Sequence, residues 1–157
     1  MIFIETSLKG AFIIEPERFA DERGFFAQSF SRGEFERHGL SPRLEECNIS
    51  FNLSRGTLRG MHFQSSPRAQ AKLVRCTAGA IYDVAIDLRR DSPTFKRWVG
   101  VELTAESRRM FFVPEGFAHG YLTLEKNTET FYQVSEAYIA VEVVNERDNS
   151  YADFASR

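Results

Sequence analysis

Histidine and cysteine are scarce: three and two among 157 residues. Cys47 and Cys76 make no CxxC pair and suggest no disulfide framework, so free, half-buried thiols in a reducing cytoplasm are expected. No G-x-S-x-G elbow is present and no helix start carries either cysteine, which leaves a Ser or Cys nucleophile without support. The phosphate loops G-x-x-x-x-G-K-[ST] and G-x-G-x-x-G are also missing, so an anionic ligand must be held by Arg and Lys side chains. A net charge of −2 gives no footprint for nucleic acid or an anionic membrane. No apolar run approaches the ~20 residues of a membrane span. The opening MIFIETSLKG has an acid at position 5 and no long apolar run, so no signal peptide is expected. There is no linker, repeat or compositional break, and residues 1–157 read as a single domain.

What is abundant is phenylalanine, with 15 residues beside one Trp and five Tyr, which suits a β-rich core or an aromatic-lined site. Short β-type runs dominate: Ala11–Ile14, Phe25–Phe30, Gly56–Gln64, Lys72–Cys76, Ala80–Leu88, Arg97–Leu103, Met110–Val113, Gly120–Leu124, Thr130–Ser135 and Tyr138–Val144. Lys72 to Leu88 reads as a hairpin turning at Thr77-Ala78-Gly79. Within it, alternation sets Tyr82, Val84, Ile86 and Leu88 on one face, and Asp83, Ala85 and Asp87 on the other. Ser31–His38 and Ala105–Arg109 are the only helix-like segments. Many short strands with almost no helix predict a sandwich or small barrel of jelly-roll type.

His38 ends a polar segment and reads as a surface residue. His62 lies in a strand with Arg59 among apolar neighbours, and His119 in a turn entering the run Tyr121–Leu124. Each, taken alone, fits a hydrogen-bonded core histidine as well as a functional one. His62 is followed by Phe63, Gln64, Ser65, Ser66 and Pro67, with no His-x-His pair and no nearby carboxylate. Two isolated imidazoles fall short of the three protein ligands typical of a catalytic metal, and none is expected. Arg23, Arg59, Lys72 and Arg75 lie in or beside β-type runs, with Arg75 expected on the outer face.

Five segments carry a resemblance: Asp21–Phe26 (DERGFF), Arg55–Gln64 (RGTLRGMHFQ), Ala71–Arg75 (AKLVR), Tyr82–Arg89 (YDVAIDLR) and Val113–Gly120 (VPEGFAHG). In this order and spacing the chain closely resembles the dTDP-4-dehydrorhamnose 3,5-epimerase family, from its first residues to about Tyr138. The resemblance implies an all-β cupin-type double-stranded β-helix with one or two short helices, acting without a cofactor or metal. It implies a homodimer with exchanged N-terminal strands and a nucleotide-diphospho-sugar substrate, in rhamnose-type deoxysugar biosynthesis. Carried over, His62 matches the general base, Tyr132 the general acid and Lys72 a cation at the sugar ketone. Arg59 also matches a residue near the ketone, Asn48 and His119 match substrate contacts, and Tyr138 an aromatic that stacks on the base. Arg23 and Phe26 match residues reaching the nucleotide or its diphosphate, in their own or a neighbouring subunit.

The chemistry asks for those residue types. Protons beside a ketone are acidic because the oxygen takes up the charge as an enolate. Inversion then needs a base on one side of the ring and an acid on the other, and a Lys cation stabilises the enolate oxygen. Strict alternation, however, places Arg59 and His62 on opposite faces of a flat strand, and Gly60 is the expected place for a bulge that unites them. Gln28 stands where the family commonly has an acid, and Glu46-Cys47-Asn48 replaces a more usual Gln-Asp-Asn run. After Tyr138 the pattern departs: Asp148 stands near an Asp-Pro turn of relatives, and no match is found for the later Asp that pairs with the base. Asp83 is the carboxylate expected to orient His62 instead. A single-site epimerase, a ketoisomerase, a non-catalytic sugar-nucleotide binding paralogue and a metal cupin stay open beside the epimerase reading.

Overall fold

The computed structural model describes residues 1–138, and Asp148 with the rest of the tail lies outside them. Twelve strands and one helix follow in order: β1 Ile2–Glu5, β2 Phe12–Glu15, β3 Arg18–Asp21, β4 Gly24–Ala27, α1 Arg32–Arg37, β5 Glu46–Asn52, β6 Leu58–His62, β7 Lys72–Ala78, β8 Ala80–Asp87, β9 Trp98–Thr104, β10 Met110–Val113, β11 Phe117–Thr123 and β12 Thr128–Val134. A six-stranded sheet (β1-β2-β10-β7-β12-β5) and a four-stranded sheet (β6-β11-β8-β9) carry the fold, with β3 and β4 as a separate antiparallel pair. All pairings are antiparallel. The architecture is the cupin-type all-β one the sequence predicts.

One apolar core joins the two large sheets: Val74, Cys76, Phe111 and Val113 from one meet Ile81, Ala85, Val101, Leu103, Phe117 and Tyr121 from the other. A second cluster lies on the far side of the six-stranded sheet, where Phe35 and Leu40 cover Ile14, Leu73, Met110 and Phe112. Phe35 is the hub, with Phe3, Phe30 and Phe112 rings 4.9–5.8 Å away. That accounts for part of the Phe excess, since rings fill area efficiently beneath a single short helix. The helix starts on Ser31, whose hydroxyl accepts from the Glu34 amide.

Three expectations are corrected. β7 and β8 do not form a hairpin: they belong to different sheets, and Gly79 (φ +71°) is a corner between layers. A Cβ at Gly79 would lie 2.5 Å from Thr128 Oγ1, so the glycine provides clearance as well as φ. Ala105–Arg109 is a turn, not a helix. The two thiols are not alike, Cys47 being exposed and Cys76 buried. Strands β1, β3 and β5 were not anticipated. In β5 the apolar side chains Ile49 and Phe51 are exposed, and it is the polar alternates that turn inward.

Candidate active site

Between the sheets, beside the apolar core, opens a cavity of about 520 Å³, within the range of roughly 300–1,000 Å³ common for small-molecule sites. Its walls bring together Asn48, Arg59, His62, Lys72, His119, Tyr132 and Tyr138. Lys72 and Tyr132 come from the six-stranded sheet. Val134 pairs with Lys72 and Tyr132 with Val74, so period-2 alternation turns Lys72 and Tyr132 to the same interior face. Tyr132 pairs on its other side with Asn48 of β5. Arg59, His62 and His119 come from the four-stranded sheet opposite. His119 is within strand β11 rather than in the turn the sequence suggested.

The bulge expected at Gly60 is present. His62 pairs with His119 and Arg59 with Tyr121, so β6 spends three residues where β11 spends two. The extra residue rotates Arg59 onto the face of His62, and both line the cavity. Gly60 has φ +117°, and a Cβ there would lie 2.6 Å from Gly120 Cα and 2.8 Å from the His119 carbonyl oxygen.

Arg59 is held by a second tier. Its Nε donates to Asn52 Oδ1 at 2.9 Å, and Asn52 Nδ2 donates to the Thr128 carbonyl and to the Tyr121 hydroxyl. The Tyr121 hydroxyl in turn donates to Ser50 Oγ at 3.0 Å. The sequence carried a signal for these residues in the alternation Asn48, Ser50, Asn52, which puts polar groups on one face of β5.

Asp83 does not partner His62 as anticipated. Its Oδ1 accepts from Nε2 of His119 at 2.5 Å. At the mouth, Glu136 ties down the segment leading to Tyr138: its carboxylate meets Arg68 at 2.7 Å and Arg43 at 3.1 Å. Gln64 donates to the Ala137 carbonyl at 3.2 Å. Nothing in the sequence patterning singled out Glu136, Arg43 or Arg68, because the three meet only through loops.

Burial, reinforced by the neighbouring Lys72, His119 and Arg59, pulls the His62 imidazole down to about 4. The ring is therefore neutral at pH 7 and able to accept a proton. Burial also pulls the Lys72 ammonium down to about 8, with the Asp83 carboxylate opposing that fall. Lys72 thus remains a cation at neutral pH inside an enclosed site, where a charge acts strongly on a developing oxyanion.

Two of the sequence-derived residues are elsewhere. Arg23 and Phe26 sit on the β3–β4 hairpin outside this cavity, Phe26 being 71% exposed and Arg23 paired with Asp21. Arg75 lies on the outer face as expected, stacked over Phe131 at 4.8 Å. Among the described residues no three His, Cys, Asp or Glu side chains gather as metal ligands. Nor is any helix among them long and apolar enough to cross a membrane.

Residues 5–153 match the sequence profile of dTDP-4-dehydrorhamnose 3,5-epimerase. A dTDP-4-dehydrorhamnose 3,5-epimerase of Methanothermobacter thermautotrophicus is 50% identical over 136 residues, 87% of this chain and 72% of the relative. A solved structure of the Bacillus anthracis dTDP-4-dehydrorhamnose 3,5-epimerase, with TDP and pyrophosphate bound, superimposes with a TM-score of 0.88 at 44% identity, covering 96% of this chain and 87% of that one. ChmJ, a 3'-monoepimerase from Streptomyces bikiniensis solved with dTDP-quinovose, is similar at 32% identity and a TM-score of 0.82, covering 93% and 75%. The fold, the match along nearly the whole chain and relatives up to half identical agree: the chain belongs to the dTDP-4-dehydrorhamnose 3,5-epimerase family and is an isomerase, a nucleotide-sugar epimerase.

Proposed function

We propose that this enzyme inverts C3, C5 or both of a nucleotide-linked 4-keto-6-deoxyhexose, as a step in rhamnose-type deoxysugar biosynthesis for surface polysaccharide. The observation that carries this reading is that His62 and Tyr132, on facing sheets, line one cavity together with Lys72. A sugar ring bound there has a neutral imidazole on one side and a phenol on the other. His62 takes the proton from the carbon beside the ketone, and the electron pair of the broken C–H bond moves to the ketone oxygen. Lys72, with Arg59, stabilises that oxyanion. Tyr132 then protonates the carbon from the opposite side, which inverts it. Asn48 and His119 hold the sugar and its linkage, and Tyr138, at the cavity rim, stacks on the base. The bound TDP of the Bacillus anthracis relative supports a thymidine nucleotide.

Arg23 and Phe26 serve the cavity of a second copy in a homodimer with exchanged N-terminal strands. Two observations support this. Among the described residues the β3–β4 pair joins no other strand, and β5 is a sheet edge with Ile49 65% and Phe51 51% exposed. An open, apolar edge of that kind favours pairing with another chain. The two unpaired thiols fit a reducing cytoplasm.

The likeness to a 3'-monoepimerase favours one second reading, inversion at a single carbon. Incubation with dTDP-4-keto-6-deoxyglucose in D2O, with NMR on H3 and H5, separates the two. Loss of both signals is expected for the double epimerase, and loss of one establishes the single-site enzyme. With neither lost, beside a relative active in the same buffer, the epimerase reading on this sugar fails. Light scattering at working concentration tests the dimer, and a clean monomer overturns it.

A further inference from the structure

Among the described residues two aspartates are wholly buried, Asp83 and Asp87, both on the interior face of β8. Asp87 is saturated with partners: Arg89 at 2.8 and 2.9 Å, and the hydroxyls of Ser92 and Thr94 at 2.6 Å each. Among the described residues Asp83 has one hydrogen-bond partner, His119, and its Oδ2 has none. Among the described residues no Lys or Arg nitrogen lies within 4.0 Å of it. A buried carboxylate left half satisfied is a stability penalty, and such groups concentrate where function needs the charge.

We propose that Asp83 is a positioning residue for the reaction: its carboxylate fixes the ring of His119 and supplies the negative charge against which Lys72 is held in the cavity. This rests on the epimerase reading above, in which Lys72 meets the ketone oxygen and His119 meets substrate. Asp83 pairs with Tyr121 and His119 with Ala85, so Asp83 and His119 are diagonal neighbours on one face of the β8–β11 pair. Because Nε2 is engaged by Asp83, Nδ1 is the ring nitrogen left to serve the cavity, and the ring cannot turn without breaking its one anchor. The same His119 stands directly across β6 from His62. A tilt of its ring therefore disturbs the wall on which the base sits.

The electrostatic half follows from what surrounds Lys72. The titratable and charged groups that share its cavity are Glu46 of β5, Arg59 and His62 of β6, His119 and Tyr121 of β11, Tyr132 of β12 and Tyr138 after it. The facing residue of β10, Val113, carries no charge. Burial favours loss of the ammonium proton, and Asp83 is the group that works against that loss. One carboxylate therefore acts by contact on His119 and through space on Lys72.

The test is Asp83→Asn, a nearly isosteric loss of charge. In the wild type, NMR of 13C-labelled lysine without substrate is expected to show Lys72 titrating near 8. In the variant the midpoint moves to lower pH by about one unit, the lower end of what a nearby opposite charge contributes. With substrate, the alkaline limb of kcat/KM moves the same way, and kcat falls about tenfold to a hundredfold, the size of loss seen when a metal-binding imidazole loses its orienting carboxylate. An unmoved lysine midpoint and an unmoved alkaline limb in a folded variant overturn the proposal. Should the variant not fold, 15N NMR of the wild-type imidazoles decides: the His119 proton is expected on Nε2, and finding that nitrogen bare overturns the proposal. A wild type that titrates as expected but exchanges neither H3 nor H5 overturns the epimerase reading instead.

Discussion

Arg59 and His62 are three residues apart on one strand and line the same cavity, because the bulge at Gly60 gives β6 an extra residue against β11. The backbone conformation that permits this is open to glycine and closed to most side chains. Gly60→Ala puts a methyl group 2.6 Å from Gly120 Cα at φ +117°. Chemical denaturation is expected to show a loss of about 2–4 kcal/mol, from strain plus overpacking. In whatever fraction folds, exchange of H3 and H5 falls further than stability alone explains, because Arg59 is turned away from the proposed position of the ketone.

The two proposed proton carriers differ in what their loss does. His62→Ala abolishes exchange at both carbons. Tyr132→Phe preserves exchange at the first carbon, since the proton is still removed, and blocks net inversion. NMR in D2O separates exchange from inversion in one sample, and wild-type exchange rates in His62→Ala would show that the base is another residue.

Glu136 links Arg43 and Arg68 to the segment that ends at Tyr138. The Arg68 guanidinium beside it holds its carboxyl below the usual carboxylate range. Glu136→Gln keeps the shape and removes the charge. KM and the Kd for dTDP are expected to rise about threefold to tenfold with kcat unchanged, as when binding is lost equally from ground state and transition state. Steady-state kinetics with calorimetric titration of dTDP make the check, and a fall in kcat at constant KM would place Glu136 in the chemistry instead.

Asp87 has a structural role. Burial raises its carboxyl, but the bonds from Arg89, Ser92 and Thr94 outweigh that and hold it well below 3.8. Its contribution is present above its unfolded value and is lost as the pH falls through the folded one, so it stabilises fully at pH 7. Asp87→Ala is expected to cost about 2–4 kcal/mol at pH 7, from lost charged hydrogen bonds and stranded hydroxyls. The deficit relative to wild type should shrink below about pH 3, where denaturant titrations would reveal it.

The all-β class, most of the strands and the residues His62, Lys72 and Tyr132 were legible along the chain. Alternation and turn residues are local properties, and the family motifs are contiguous. Alternation in β8 separated Asp83 and Asp87 from Tyr82 and Val84, yet which face is interior was not readable. Asp83 and Asp87 are buried against hydrogen-bond partners of their own, so the apolar rule points the wrong way there. The same inversion hid β5, whose Ile49 and Phe51 face outward.

The amino-acid sequence by itself determined that two faces exist on each strand, that glycine stands where the backbone must turn or bulge, and that an imidazole, an ammonium and a phenol are available. Only the tertiary structure decided which strands become neighbours. It made Gly79 a corner between sheets instead of a hairpin turn. It assigned Asp83 to His119 and set Arg23 and Phe26 apart from the cavity. The physical reason is that the deciding contacts are distant in sequence, 36 positions between Asp83 and His119 and 69 between Asn52 and Tyr121. Such contacts are selected by the burial and closure of the whole fold, which no local pattern encodes.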